Sequence, residues 1–205
     1  YLPCVGTPSC LVIANGETTG VTAAASAISN DGRIMLTNRR TKVSEPQVFR
    51  YTVALVGIED RWFREIAASA PDGMLGGVMT PDGQRVVLSG GPLTSPTTAS
   101  DGSSLVGASG VFVYDGTTNK VTPTPLPAGL WVSSISDDGR YGAAWTESNE
   151  IAFVDLQAGT FEVIGTGSRV TPDISADGRY VVWADREFEP GVLPGHVHRY
   201  DRTDG

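Results

Sequence analysis

Apolar residues along the chain fall into short runs, and the runs return in a set order. Ala-Ile-Ser-Asn-Asp-Gly-Arg-Ile-Met-Leu at 27–36 is echoed by Val-Met-Thr-Pro-Asp-Gly-Gln-Arg-Val-Val-Leu at 78–88 and Ser-Ile-Ser-Asp-Asp-Gly-Arg-Tyr-Gly-Ala-Ala-Trp at 134–145. A fourth copy, Asp-Ile-Ser-Ala-Asp-Gly-Arg-Tyr-Val-Val-Trp, stands at 173–183. An Asp-Gly pair between two apolar runs predicts a hairpin: Gly accepts positive φ without Cβ strain, and the Asp carboxylate accepts bonds from the backbone that follows. The run after each turn is short and nearly continuous in apolar residues, which predicts a strand buried on both faces between neighbouring sheets.

A second phrase follows each first one: Tyr-Thr-Val-Ala-Leu-Val at 51–56, Val-Phe-Val-Tyr-Asp-Gly at 111–116, Ile-Ala-Phe-Val-Asp-Leu at 151–156 and Val-His-Arg-Tyr-Asp-Arg at 197–202. These predict third strands. Turns bearing polar residues and Gly lead from two of them to fourth strands, Lys-Val-Thr-Pro-Thr-Pro and Phe-Glu-Val-Ile-Gly. The first repeat departs from the pattern, with Val56 or Gly57 near the place of the recurrent Asp. Residues 58–70, with Trp62, Phe63 and Ile66, are read as strand in that repeat, and no window sustains a helical period.

Asp31, Asp82, Asp138 and Asp177 recur at intervals of roughly 40 to 55 residues, which brackets the period of a four-stranded propeller blade with loops of variable length. The expected fold class is therefore all-β: a β-propeller of four-stranded antiparallel blades in one domain. About four repeats lie near 26–70, 75–126, 130–166 and 170–205, either a whole propeller or part of a larger one. Residues 10–25 read as strand, turn, strand, and part of 11–24 is expected to pair beside 197–202 and close the ring. Long Ser/Thr/Gly/Pro-bearing loops are expected at 90–110 and 185–195, where binding would concentrate.

Charge narrows the partners. The net charge is −8 with a pI near 4.7, which repels phosphate backbones and anionic lipid surfaces. Nucleic acid is excluded as a partner. The one dense basic group, Arg39, Arg40 and Lys42, is too short for a nucleic-acid stripe and reads as a solvated loop. No apolar run reaches the ~18 residues needed to span a bilayer as a helix, so no membrane insertion is expected.

The two cysteines, Cys4 and Cys10, flank Val-Gly-Thr-Pro-Ser, a loop that closes easily, and a disulfide is expected. Such a bond implies an oxidising compartment, extracellular or periplasmic, whereas zinc would need further ligands and the first 25 residues contain no His. The chain starts at Tyr1 rather than Met, so a signal peptide, propeptide or upstream domain is expected to have been removed.

Catalytic chemistry finds little footing. The turn residues Asp31, Asp82, Asp138 and Asp177 are better explained by backbone bonding than by calcium, which needs five or more convergent oxygens. His196 and His198, the only histidines, stand two apart on a strand and are the sole metal-ligand candidates. No nucleophile elbow occurs: Gly107-Ala-Ser-Gly-Val falls short of one. Gly73-Met-Leu-Gly-Gly and Gly165-Thr-Gly lack the context of a phosphate cradle, so no cofactor is expected. Trp131, Trp145 and Trp183 flank the recurring turns, either as packing between blades or as a stacking surface for sugar or peptide, and Trp62 is less clearly placed.

The paired phrases, Ser-x-Asp-Gly-Arg-Tyr-Val-Val-Trp followed by Val-x-x-Tyr-Asp-Arg-x-x-Gly, resemble the repeat of TolB-type propellers over roughly residues 26–205. The resemblance implies a propeller of a secreted or periplasmic bacterial protein, often with a protein-binding role, although the same repeat also caps peptidases and builds some polysaccharide lyases. The expected function is a non-enzymatic interaction or structural module. Its alternatives are the propeller of a carbohydrate-active or peptidase-associated enzyme, or one subunit of a surface assembly, with a protein partner first and a glycan second.

Overall fold

A computed structural model of the chain describes residues 21–44, 48–167, 171–184 and 195–204. Every regular element among them is a β-strand, and every pairing is antiparallel. Blade 1 holds β1 (Val21–Ile28), β2 (Ile34–Ser44), β3 (Val48–Gly57) and the first part of β4 (Phe63–Met79). Blade 2 takes the rest of β4 with β5 (Arg85–Ser95), β6 (Gly110–Asp115) and β7 (Lys120–Pro123). Blade 3 is β8 (Leu130–Ile135), β9 (Tyr141–Thr146), β10 (Glu150–Asp155) and β11 (Thr160–Thr166). Blade 4 shows β12 (Asp173–Ile174), β13 (Tyr180–Ala184) and β14 (Val197–Asp201).

The long β4 fuses the first two blades into one hydrogen-bonded sheet. Phe63 to Ala68 pair with β3, Met74 to Met79 pair with β5, and the ladder breaks between Ser69 and Met74, where Asp72 takes φ 63°. The segment 58–70 is thus a turn that ends at Trp62, followed by strand. β5 runs to Ser95, so the expected loop at 90–110 begins later and is well packed. Ala99 and Leu105 are buried in it, and the N–H of Leu93, near the end of β5, donates to Ala108 O. Val21 already pairs with Thr41, so residues 21–24 belong to β1 and pair with β2. The rest of the closing segment, 11–20, lies outside the described residues, as do Cys4 and Cys10.

Three apolar clusters lie between successive blades, and period-two alternation builds them. Leu36, Val53 and Leu55 of blade 1 meet Val86, Leu88, Phe112 and Tyr114 of blade 2. Val87 and Val111 of blade 2 meet Val132, Ala144 and Val154 of blade 3. Tyr141, Ala143, Ile151 and Phe153 of blade 3 meet Ile174, Val181 and Trp183 of blade 4. Adjacent residues of the second strand, such as Val86 and Val87, therefore serve opposite neighbours, which explains the near-continuous apolar runs. Arg39, Arg40 and Lys42 stand on β2 and not on a loop, because β1 and β3 pair with that strand along this stretch. The Arg40 guanidinium lies 3.4 Å from the Phe49 ring centre.

Candidate functional site

Each recurrent Asp closes the hairpin between the first two strands of its blade, in one repeated geometry. In blade 3, Ser136 N–H donates to Tyr141 O at 2.9 Å, Ser136 Oγ donates to Asp138 Oδ1 at 2.6 Å, and Arg140 N–H donates to the same oxygen at 2.9 Å. Ser29 with Asp31, Thr80 with Asp82 and Ser175 with Asp177 repeat the hydroxyl-to-carboxylate bond at 2.6 Å. These bonds hold the Asp31, Asp138 and Asp177 carboxyls below the ordinary aspartate range, the Ser hydroxyl being the main cause in each. The four carboxylates sit in four separate turns, each committed to its own backbone.

The Arg that follows the Asp-Gly pair reaches the end of the third strand. Arg179 grips Asp201 with bonds of 2.8 to 3.2 Å, and Arg140 reaches Asp155 at 3.2 Å. The Arg179 guanidinium, chiefly, keeps Asp201 far below the usual carboxylate range. Blade 1 keeps the device in altered form. Gly57 replaces the Asp because the Trp62 indole occupies the space, a Cβ there falling 2.1 Å from Nε1, and Arg33 turns instead to Glu59 at 3.4 Å.

Neighbouring turns are stitched together. Asn30 N–H donates to Pro81 O at 2.7 Å, and Asp137 N–H donates to Ala176 O at 2.9 Å. Between blades 2 and 3 the equivalent donor would be the N–H of residue 81, which Pro lacks. There Arg85 Nη1 supplies the tie, to Asp138 O at 3.4 Å and Gly139 O at 3.3 Å.

Around Arg85 opens a cleft of about 640 Å³ between blades 2 and 3. Val113 and Leu156 line it with Pro123 and Pro125, and its charged groups are Arg85, Asp115, Asp138 and Arg140. Thr122, Thr124 and Gln157 add polar groups. A smaller cleft of about 310 Å³ lies between blades 3 and 4, with Arg140, Asp155, Phe161, Glu162 and Arg202 on its walls. Arg202 Nη1 donates to Tyr141 Oη at 2.9 Å within it. The larger cleft falls within the size range of small-ligand sites, and no sequence motif marks it. Its only signal is the order Gln84-Arg85, where the other three repeats read Arg33-Ile34, Arg140-Tyr141 and Arg179-Tyr180.

The other candidate residues are placed as follows. His198 stacks on Trp183 with ring centres 5.2 Å apart, and His196 stands edge-on to it at 6.5 Å. Among the described residues, no group of three or more metal-ligating side chains forms. Trp183 is buried, and its Nε1–H donates to Thr166 O at 3.2 Å, so it is a packing residue. Trp131 and Trp145 stack at 5.8 Å, both half-buried.

Blades of antiparallel strands packed face to face through repeated turns define the class, a β-propeller fold. The β-propeller domain of the Trilobed protease from Pyrococcus furiosus superposes with a TM-score of 0.51 and 10% identity, over 82% of this chain and 54% of that one. The Pyrococcus horikoshii acylaminoacyl peptidase superposes at 0.52 and 12%, over 87% of this chain and 32% of that one. The chain thus spans about half the length of the first and about a third of the second. At such identities the likeness concerns the fold alone. In sequence, no protein-family model and no curated protein matches the chain.

Proposed function

We propose that this chain is a non-enzymatic interaction module of an exported bacterial protein, built on a TolB-type repeat, that holds a partner at clefts and loops on a rigid stack of blades. The observation that carries this reading is the commitment of its acids. Asp31, Asp82, Asp138 and Asp177 each accept a neighbouring hydroxyl and a backbone N–H, while Asp155 and Asp201 are held by arginines. A general acid or base needs a side chain free to face a substrate, and these carboxylates are already engaged by their own turns and arginines. Export rests on Cys4 and Cys10.

Turnover assays with peptide and glycoside substrates test the reading, with no hydrolysis expected. Reproducible turnover that disappears in His196→Ala or His198→Ala overturns it. A second reading, the propeller domain of a peptidase, is favoured by the two superposing proteins, both peptidases by name. In that case the catalytic residues belong to another part of the protein, and the isolated chain is again inactive while the chain joined to its peptidase is active.

A further inference from the structure

The four repeats share a register that makes blade 2 the exception. The residue three places after the turn Asp points onward and covers the turn glycine of the next blade. Ile34 covers Gly83 and Tyr141 covers Gly178, where an added Cβ would lie 3.0 Å from Ile34 Cδ1 and 2.5 Å from Tyr141 Cδ2. In blade 2 that position holds Arg85, over Gly139 at 2.6 Å by the same measure. The residue two places after the Asp is Arg in blades 1, 3 and 4 and clamps an acid at the end of the third strand or just past it, but in blade 2 it is Gln84.

The guanidinium has in effect been moved one position, from the clamp into the space between blades. Asp115 loses the clamp that Asp155 and Asp201 enjoy. Its Oδ1 accepts from the Thr117 hydroxyl and the N–H groups of Thr117 and Thr118, and the residue lines the cleft. Besides tying the turns of blades 2 and 3, this departure puts a guanidinium and an unclamped acid on the wall of one cleft, and functional sites are where a local rule is expected to break.

We infer that the cleft between blades 2 and 3 binds an extended peptide segment of a partner protein, with Arg85 and Asp115 as the groups that engage its backbone. This deepens the interaction-module reading and rests on it. A peptide backbone alternates N–H donors with C=O acceptors, and the cleft sets Arg donors beside Asp acceptors, with Gln157 able to do both. Two arginines and two aspartates balance in charge, so an uncharged backbone is met without a net field. Val113, Leu156, Pro123 and Pro125 provide an apolar bed for side chains. A cleft of about 640 Å³ suits a segment of a few residues.

The test uses the whole chain and a double variant, Gln84→Arg with Arg85→Tyr, which restores the arrangement of blades 3 and 4. A phage-displayed heptapeptide library is selected on the wild-type chain, and the winning peptides, synthesised, are titrated against both proteins. The expected result is binding weakened at least tenfold in the double variant, which still unfolds cooperatively well above the assay temperature. Peptides that bind both proteins equally overturn the cleft while sparing the interaction module. Failure of the library, with maltotriose or cellotriose binding in an Arg85-dependent way, overturns the peptide and assigns the cleft to a glycan. Failure of every probe overturns the cleft as a binding site, and the turnover assays then decide the broader reading separately.

Discussion

At the scale of single residues, the turn glycines carry two demands that the sequence shows as one. Gly32 and Gly178 both take positive φ, 73° and 68°, yet a Cβ at Gly32 meets nothing within 4 Å, whereas at Gly178 it meets the buried Tyr141 ring at 2.5 Å. Gly32→Ala is expected to cost about 1 kcal/mol, the backbone term alone. Gly178→Ala adds overpacking of typically 1–3 kcal/mol. Urea midpoints read the difference, and equal losses would show that Tyr141 yields freely. The cysteines give a second prediction at this scale. Alkylation of the unfolded chain without reductant should label neither Cys4 nor Cys10, and labelling of both refutes the bond.

At the scale of elements, the hairpin between first and second strands is the unit that repeats, and the links between hairpins vary. Asn30 to Pro81 and Asp137 to Ala176 are backbone ties, but Pro81 passes the duty to a side chain, Arg85. The position of β1 also sharpens the test of ring closure. Because Val21 is already paired with Thr41, a deletion that enters β1 destabilises blade 1 whatever residues 1–20 do. Removing residues 1–20 alone isolates the closure proposal. If that segment pairs beside β14, the urea midpoint should fall and the transition should lose cooperativity, since an unpaired edge and apolar area at ~25 cal/mol per Å² are then exposed. An unchanged transition sinks the proposal.

At the scale of the whole molecule, the same turn chemistry sets the response to acid. Asp31, Asp138, Asp177 and Asp201 titrate lower in the folded chain than the ordinary aspartate value of 3.8. A depressed folded pKa means that the unfolded chain binds protons first. The stabilisation is therefore present above about pH 4 and is lost as pH falls through 3.8 toward the folded values. These groups lie at the surface and each contributes little, but they recur in blades 1, 3 and 4. Urea midpoints should hold level from pH 6 to about pH 5 and then fall toward pH 3, and constancy down to pH 3 contradicts the role given to the turns.

What the sequence determined by itself is what is local and periodic. The Asp-Gly turns, the third strands and the all-β class follow from residue type and spacing, because a tight turn and a pleated strand are decided within a few residues. Even the absence of the recurrent Asp near Gly57 was visible, although its cause, the Trp62 ring, was not. The tertiary structure alone decided which residues meet across blades. It placed Arg39, Arg40 and Lys42 on a strand, buried part of the 90–110 loop, gave Trp183 to the core and left Trp131 and Trp145 half-exposed. It also set Arg85, which covers Gly139 as Ile34 and Tyr141 cover the turn glycines Gly83 and Gly178, on the wall of a polar cleft. Such contacts join residues about 50 positions apart, and their register depends on how each blade packs on the next, which no local pattern encodes.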